Sequence, residues 1–329
     1  MRVLVTGGCG FIGHHLVEHL LKTTDTTVVV WDKLTYASDG FNRLRDIDVY
    51  DDKRVMVLGV DFSKKITDGV VAETGEVDYI VHMGAETHVD NSIVDALPFV
   101  EANVLGTYHM LEYARTCGGL KKFFYFSTDE VFGPAEKGVK YKEWDRYNST
   151  NPYAATKAGG EELCLAFANT HKVPIVVTHT MNVWGERQHP EKFFPMTIRK
   201  ILKGEKNIIH SDAEKTTPGS RFYIHARNVA SAITFLFGSS FVREKYNIVG
   251  ERELSNLDVV LSIGKFLGVD PIYELVDFHS SRPGHDLRYA LDGGRMELMG
   301  WKIPLTFTES LEKTITWYLR DKNKRWLGL

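Results

Sequence analysis

A short apolar run, Arg2 to Val5, leads directly into Thr6-Gly7-Gly8-Cys9-Gly10-Phe11-Ile12-Gly13, and an amphipathic stretch follows with Leu16, Val17, Leu20 and Leu21 on one side. Strand, glycine turn and helix in that order constrain this chain more than any other feature in it. Gly8-x-Gly10-x-x-Gly13 meets the usual dinucleotide fingerprint, and Gly7-x-x-Gly10-x-x-Gly13 meets a common variant. Glycines there let the backbone approach a pyrophosphate seated on the helix N-terminus. Taken alone, the pattern suits any tight strand-to-helix turn equally well.

The second apolar run, Val28-Val29-Val30-Trp31, ends at Asp32, about 20 residues beyond the glycines. A carboxylate at that point accepts both hydroxyls of an adenosine ribose and repels a 2′-phosphate, so NAD is expected over NADP. Lys33 beside it works weakly against that preference, and an ordinary strand-end carboxylate is the plainer reading.

The same alternation continues. Val55 to Val60 reads as a third strand, with Asp61 placed to reach an adenine edge; 66–74 reads as a short helix, and Tyr79 to Met83 as a fourth strand followed by the small residues Gly84 and Ala85. His82 and His88 lack a partner at zinc spacing, so packed or hydrogen-bonded histidines are expected. Pro98 to Cys117 reads as one long helix with a broad apolar face, able to meet both a sheet and a second subunit. Within it, Asn103 is either a local hydrogen-bonding residue or an ordinary satisfied asparagine. Phe123-Phe124-Tyr125-Phe126 is an aromatic strand that ends in Ser127-Thr128-Asp129-Glu130. Asn151-Pro152 marks a helix start, cap then proline, running to about His171. Val173 to Thr178 is the sixth strand.

Alternating strands and helices predict an α/β chain: a Rossmann-type doubly wound parallel sheet covered on both faces. After Thr180 the rhythm breaks, and a smaller carboxyl-terminal lobe is expected. The expected division gives 1–180 to an NAD-binding domain, with 226–250 returning to it, and 181–225 and 251–329 to a substrate-binding lobe.

Composition narrows the function. Net charge is −3, with 43% apolar and 25% charged residues, which supports neither a nucleic-acid nor a membrane partner. The basic end, Arg320 to Arg325, reads as a solvated last helical turn. Cys9, Cys117 and Cys164 are scattered, which fits a reducing compartment. With strand residues following Met1-Arg2 directly, a cytoplasmic protein is expected.

Tyr153 and Lys157 stand four apart on one helix and share a face. An ammonium near a phenol favours the phenolate, so Lys157 is expected to make Tyr153 a usable base. Thr128 is placed to bind the same substrate hydroxyl. Asp129 and Glu130 add a second chemistry. Hydride removal from a sugar carbon needs only the tyrosine, whereas two further carboxylates suit proton removal and assisted loss of a hydroxyl. From spacing alone, a solvated carboxylate pair at a strand end fits as well.

Thr6 to Gly13, Asp32 to Ala37, His82 to Ile93, Ser127 to Gly133, Asn151 to Lys157, Pro190-Glu191-Lys192 and Arg282 to Asp286 together resemble the dTDP-glucose 4,6-dehydratases. These belong to the extended short-chain dehydrogenase/reductase superfamily. The resemblance runs in order across nearly the whole chain, and Thr128-Asp129-Glu130 is its specific part. It implies NAD contacts from Gly7, Gly10, Phe11, Ile12, Gly13, Asp32, Lys33, Thr35, Asp61, Phe62, Ala85, Tyr153 and Lys157. It implies nucleotide-sugar contacts from His88, Asn182, Glu191, Lys192, Arg221, Asn256 and His285. Tyr153 is implied as the C4 base, Glu130 as the C5 base, Asp129 as the acid at C6, and a homodimer as the assembly. Asn182-Val183 stands where two asparagines are common, and Trp184 and Glu186-Arg187-Gln188 also depart from the pattern. The nucleotide therefore stays open between dTDP-glucose and UDP-glucose. A UDP-sugar 4-epimerase, a UDP-glucuronate decarboxylase and a non-catalytic NAD-binding protein are the competing readings.

Overall fold

The computed structural model describes residues 1–277 and 287–329. Its centre is a seven-stranded sheet in which every neighbouring pair is parallel. Six strands follow in chain order: β1 Arg2–Thr6, β2 Thr27–Asp32, β3 Val55–Gly59, β4 Tyr79–His82, β5 Lys122–Thr128 and β6 Ile175–Thr180. Glu244–Ile248 supplies the seventh, so the spatial order is Glu244–Ile248, β6, β5, β4, β1, β2, β3. The order reverses between β1 and β4, and a crevice opens at the carboxyl ends there.

Two apolar clusters cover the sheet. One holds Val3, Val5, Leu16, Leu20, Val28, Val30, Val81 and Phe124; the other holds Leu4, Val29, Trp31, Ile80, Phe123, Tyr125 and Val177. Adjacent strand residues thus pack on opposite faces, which is why these strands are continuously apolar. Even Lys122 is buried: its ammonium donates to the carbonyls of Leu236 (2.6 Å), Phe237 (3.2 Å) and Ser239. It thereby closes the carboxyl end of the helix Ala226–Phe237, where a cation meets the negative pole. A third cluster, with Trp184, Phe194, Ile198, Val259, Ile263, Leu311 and Trp326, gathers the helices Phe193–Leu202, Asn256–Leu267 and Phe307–Tyr318. No helix among the described residues is long and apolar enough to cross a membrane.

Two expectations change. The helix at 97–116 is not uniform: α-helical Leu97–Phe99 widens into π-helical turns over Val100–Leu105 before Gly106–Thr116 resumes as α-helix. Asn103 sits in the widened part. Its side chain accepts from Glu86 N (2.9 Å) and donates to Glu86 O (2.9 Å) and Thr156 Oγ1 (3.0 Å), so it ties one loop to the Tyr153 helix. Apolar periodicity carries no trace of a π-turn, because the outward positions still alternate with buried ones. The basic end is also not a freely solvated turn. In Asp321–Leu327, Trp326 and Leu327 are buried, and Arg325 (2.7 Å) and Trp326 Nε1 (2.8 Å) both donate to the Asp46 carboxylate. A distant anion and a buried indole hold the turn down.

Candidate active site

Helix α1, Phe11–Thr23, starts where the glycine turn ends. Gly7 has φ +69°, and a Cβ there would lie 2.8 Å from Gly84 Cα. A Cβ on Gly13 would lie 2.2 Å from Gly7 O, so only glycine lets α1 pack this tightly onto the turn. Asp32 shapes the same turn: its carboxylate accepts from Cys9 N (2.9 Å) and Leu34 N (2.8 Å). Lys33 pairs with Asp61 at 3.3 Å and so faces a carboxylate. The crevice here is lined by Gly7, Gly10, Phe11, Ile12, Gly13, Asp32, Lys33, Thr35, Asp61, Phe62 and Ala85. These are all the expected cofactor positions except Tyr153 and Lys157. Backbone cradle, helix N-terminus and strand-end carboxylate are the donor and acceptor set that a dinucleotide needs.

Arg43 also lines this crevice, and no sequence signal separates it from surface arginines in a polar stretch. It is fully buried and donates to the carbonyls of Cys9 (3.4 Å), Ala37 (2.7 Å), Ser38 (2.6 Å) and Arg187 (2.9 Å). One guanidinium therefore joins the glycine turn, the loop after β2 and the segment after β6.

A second cleft adjoins the first, and the two share Thr87, Gln188, Glu191 and Lys192. The expected substrate residues His88, Asn182, Glu191, Lys192, Arg221 and Asn256 all line it, together with Glu130. His285 lies outside the described residues. Glu191 is the hub of its near end, with His88 at 3.9 Å, His189 at 3.5 Å and Lys192 at 3.6 Å. Arg221 donates to Ser220 O (2.7 Å) and Leu287 O (2.6 Å) and lies over the Tyr289 ring. Tyr223, Gln188 and His210 belong to this wall too and were not legible beforehand. The Tyr223 hydroxyl donates to Asn256 Oδ1 at 2.5 Å. Gln188 and Tyr223 sit on loops, where spacing carries no facial information, and His210 sits on the five-residue strand Asn207–Ser211 outside the main sheet.

The acid–base groups converge beside Glu130. Thr128 Oγ1 donates to Asp129 Oδ1 at 3.0 Å. Thr128, Asp129, Tyr153 and Lys157 are all buried. Asp129 Oδ2 has no hydrogen-bond partner among the described residues. Burial pushes the Asp129 carboxyl up to about 6, against the Arg221 cation and the Thr128 bond, so it keeps its proton to a higher pH than an ordinary carboxyl does.

The electrostatics of the tyrosine differ from expectation. Burial pushes the Tyr153 phenol well above its ordinary value, and the Glu130 and Asp129 carboxylates push it further. Burial also lowers Lys157 to about 7, with its ammonium 4.4 Å from the centre of the Tyr125 ring. Both charged forms lose hydration in this pocket, and that loss outweighs helical proximity.

The Asp129 carboxyl gives a stability prediction with a definite sign. Its value in the folded chain, about 6, lies above the ordinary 3.8, so the fold holds a proton that the unfolded chain has released. That contribution is complete below the lower value and is lost as pH rises through the upper one. Asp129→Asn removes the loss, so its stability gain over the parent grows from about pH 4 and reaches about 3 kcal/mol by about pH 7. Urea unfolding across that range checks it, and a gain that does not vary with pH would overturn it.

A doubly wound sheet, a glycine cradle with a carboxylate at the end of β2, and a Tyr–Lys pair beside a second cleft define a nicotinamide-dependent enzyme of the short-chain dehydrogenase/reductase type. Comparison with known proteins agrees. Residues 3–249 match the model of the NAD dependent epimerase/dehydratase family. The chain belongs to that family, and its cofactor is NAD. It is 37% identical over 321 residues to the low-salt glycan biosynthesis protein Agl12 of Haloferax volcanii, covering 98% of this chain and 99% of that one. It is 35% identical over 351 residues to the dTDP-glucose 4,6-dehydratase of Salmonella typhimurium, covering 100% of this chain and 95% of the relative. Among solved structures, DesIV, a dTDP-glucose 4,6-dehydratase from Streptomyces venezuelae with NAD bound, superposes with a TM-score of 0.87. Its identity is 34%, over 99% of this chain and 98% of DesIV.

Proposed function

We propose that this chain is an NAD-dependent hydro-lyase that converts dTDP-glucose or UDP-glucose to the 4-keto-6-deoxyglucose nucleotide. The observation that carries this reading is the Asp129–Glu130 pair beside Tyr153, with Glu130 lining the nucleotide-sugar cleft and Asp129 buried and disposed to hold a proton. The residues lining the first crevice would hold NAD, within the 1–180 and 226–250 segments; 181–225 and 251–329 would hold the nucleotide-sugar.

NAD held in the first crevice would supply a reversible hydride acceptor, which leaves the overall conversion redox-neutral. Tyr153 takes the C4 hydroxyl proton, with Thr128 orienting that hydroxyl and Lys157 supplying positive charge nearby. The resulting C4 ketone acidifies C5, and Glu130 removes the C5 proton. Asp129 gives its proton to the departing C6 hydroxyl, which leaves as water. Glu130 returns its proton to C5, and the proton gained by Tyr153 replaces the one lost by Asp129. The balance is loss of one water. Lys192 and Arg221 supply cations for the diphosphate, and His88, Asn182, Glu191 and Asn256 supply polar contacts; His285 completes the proposed set by resemblance.

Incubating the protein with dTDP-glucose and with UDP-glucose and weighing the products tests this directly. A product lighter by one water from either substrate is expected. Unchanged substrate from both overturns the reading.

The proposed assembly is a homodimer. Leu97 (63% exposed), Val100, Leu105 and Tyr108 form an outward apolar stripe along the helix that packs against the Tyr153 helix, and Val94 (88%), at the end of the short helix Val89–Val94 before it, extends the patch. Leu97→Glu is expected to convert dimer to monomer by light scattering, and a monomeric parent overturns the assembly. A cytoplasmic location is part of the same proposal and suits three unpaired cysteines.

A further inference from the structure

Asn151 uses both ends of its side-chain amide. Its Oδ1 accepts from Ala154 N at 2.8 Å and caps the helix Pro152–Thr170. Its Nδ2 donates to Glu130 Oε2 at 2.9 Å. The cap needs the oxygen, so the nitrogen has to face the carboxylate. The amide is buried, and Tyr153 follows it by two residues on the capped helix. On the other side, Glu130 N donates to Thr128 Oγ1 at 3.4 Å, and Thr128 Oγ1 in turn donates to Asp129 Oδ1 at 3.0 Å. A chain of contacts thus runs from the cap of the Tyr153 helix through Asn151 to Glu130 and on to Thr128.

We propose that Asn151 is a positioning residue that sets the Glu130 carboxylate against the Tyr153 phenol, so that the acceptors of the C5 and C4 protons meet one sugar. The inference rests on the function proposed above. Two proton transfers to neighbouring carbons of one bound ring need two acceptors held in a constant relation, and a displacement of about 1 Å is costly in such a site. Donation to a carboxylate also favours its ionised form, which keeps Glu130 able to accept. A helix cap alone needs none of this, because serine and aspartate cap as well as asparagine does.

That equivalence supplies the test. Asn151→Ser and Asn151→Asp both keep a capping oxygen. Serine removes the donor to Glu130, and aspartate replaces it with a second negative charge. In deuterated water, exchange of the C5 hydrogen reports on Glu130, while single-turnover formation of the reduced nicotinamide reports on Tyr153. Asn151→Ser is expected to slow C5 exchange by about 10- to 100-fold and to leave C4 oxidation near that of the parent. Asn151→Asp is expected to move the acid limb of the exchange profile to higher pH, because a neighbouring carboxylate makes Glu130 harder to ionise. Asp129 and Tyr153 beside it, and His88, Glu191, Lys192 and Arg221 in the same cleft, are the same in both variants. Parent-like exchange in both, with Glu130→Gln silent, overturns the role of Asn151 alone. Unimpaired exchange in Glu130→Gln overturns the base assignment and the Asn151 role together.

Discussion

Replacing Tyr153 with phenylalanine is expected to lower turnover by about 10²- to 10⁴-fold, the usual yield of a positioned proton acceptor. The ring is kept, and with it the packing against Phe99, whose centroid lies 6.4 Å away. Helix and cap are untouched, because only one oxygen is lost. The protein should therefore purify with its NAD and melt near the parent temperature, while reduced nicotinamide no longer forms on mixing with substrate. The size of the loss follows from the site's own electrostatics. Burial and two carboxylates oppose the phenolate in the protein alone. On the proposed mechanism the tyrosine would act as a base only with the positive charge of the oxidised cofactor and the substrate hydroxyl brought near it. Turnover within about tenfold of the parent would falsify its role as the C4 base.

Glu130→Gln should cost about as much, but at a later step. Glutamine has nearly the shape of glutamate and its oxygen can still accept from Asn151 Nδ2, so the local hydrogen bond survives. It cannot take a proton. C4 oxidation should then proceed and stall, so that reduced nicotinamide builds up on the enzyme, no C5 deuterium is incorporated and no dehydrated product is released. Parent-like turnover would instead point to an epimerase-type reaction, which needs no second acceptor. Together the two variants divide the cycle: one should block it before hydride leaves the sugar, the other after.

Much of this site was legible because its parts are local. The glycine cradle, Asp32 at the end of β2, the Asn151-Pro152 cap and the four-residue spacing of Tyr153 and Lys157 each depend on backbone geometry within a few residues. Residue types at fixed spacing carry that geometry directly. Where two residues meet only because the chain has crossed the molecule, spacing says nothing. Arg43 reaching Arg187 and Trp326 reaching Asp46 are of this kind.

The bond between Asn151 and Glu130 falls between these cases. Each residue stood out alone, one as a cap and one as a strand-end acid, yet nothing in their separation shows that the amide left over from capping points at the carboxylate. Tyr153 shows the same limit in energetic form. Its neighbour Lys157 could be counted from the chain, whereas its burial and the two carboxylates that oppose ionisation exist only once β5 and the helix have packed. The amino-acid order by itself determined the strands, the cofactor turn and which side chains could do acid–base chemistry, since those follow from local backbone preference. Tertiary packing alone decided which of them touch and how readily each gives up a proton, because hydration and charge are settled by neighbours brought together from across the fold.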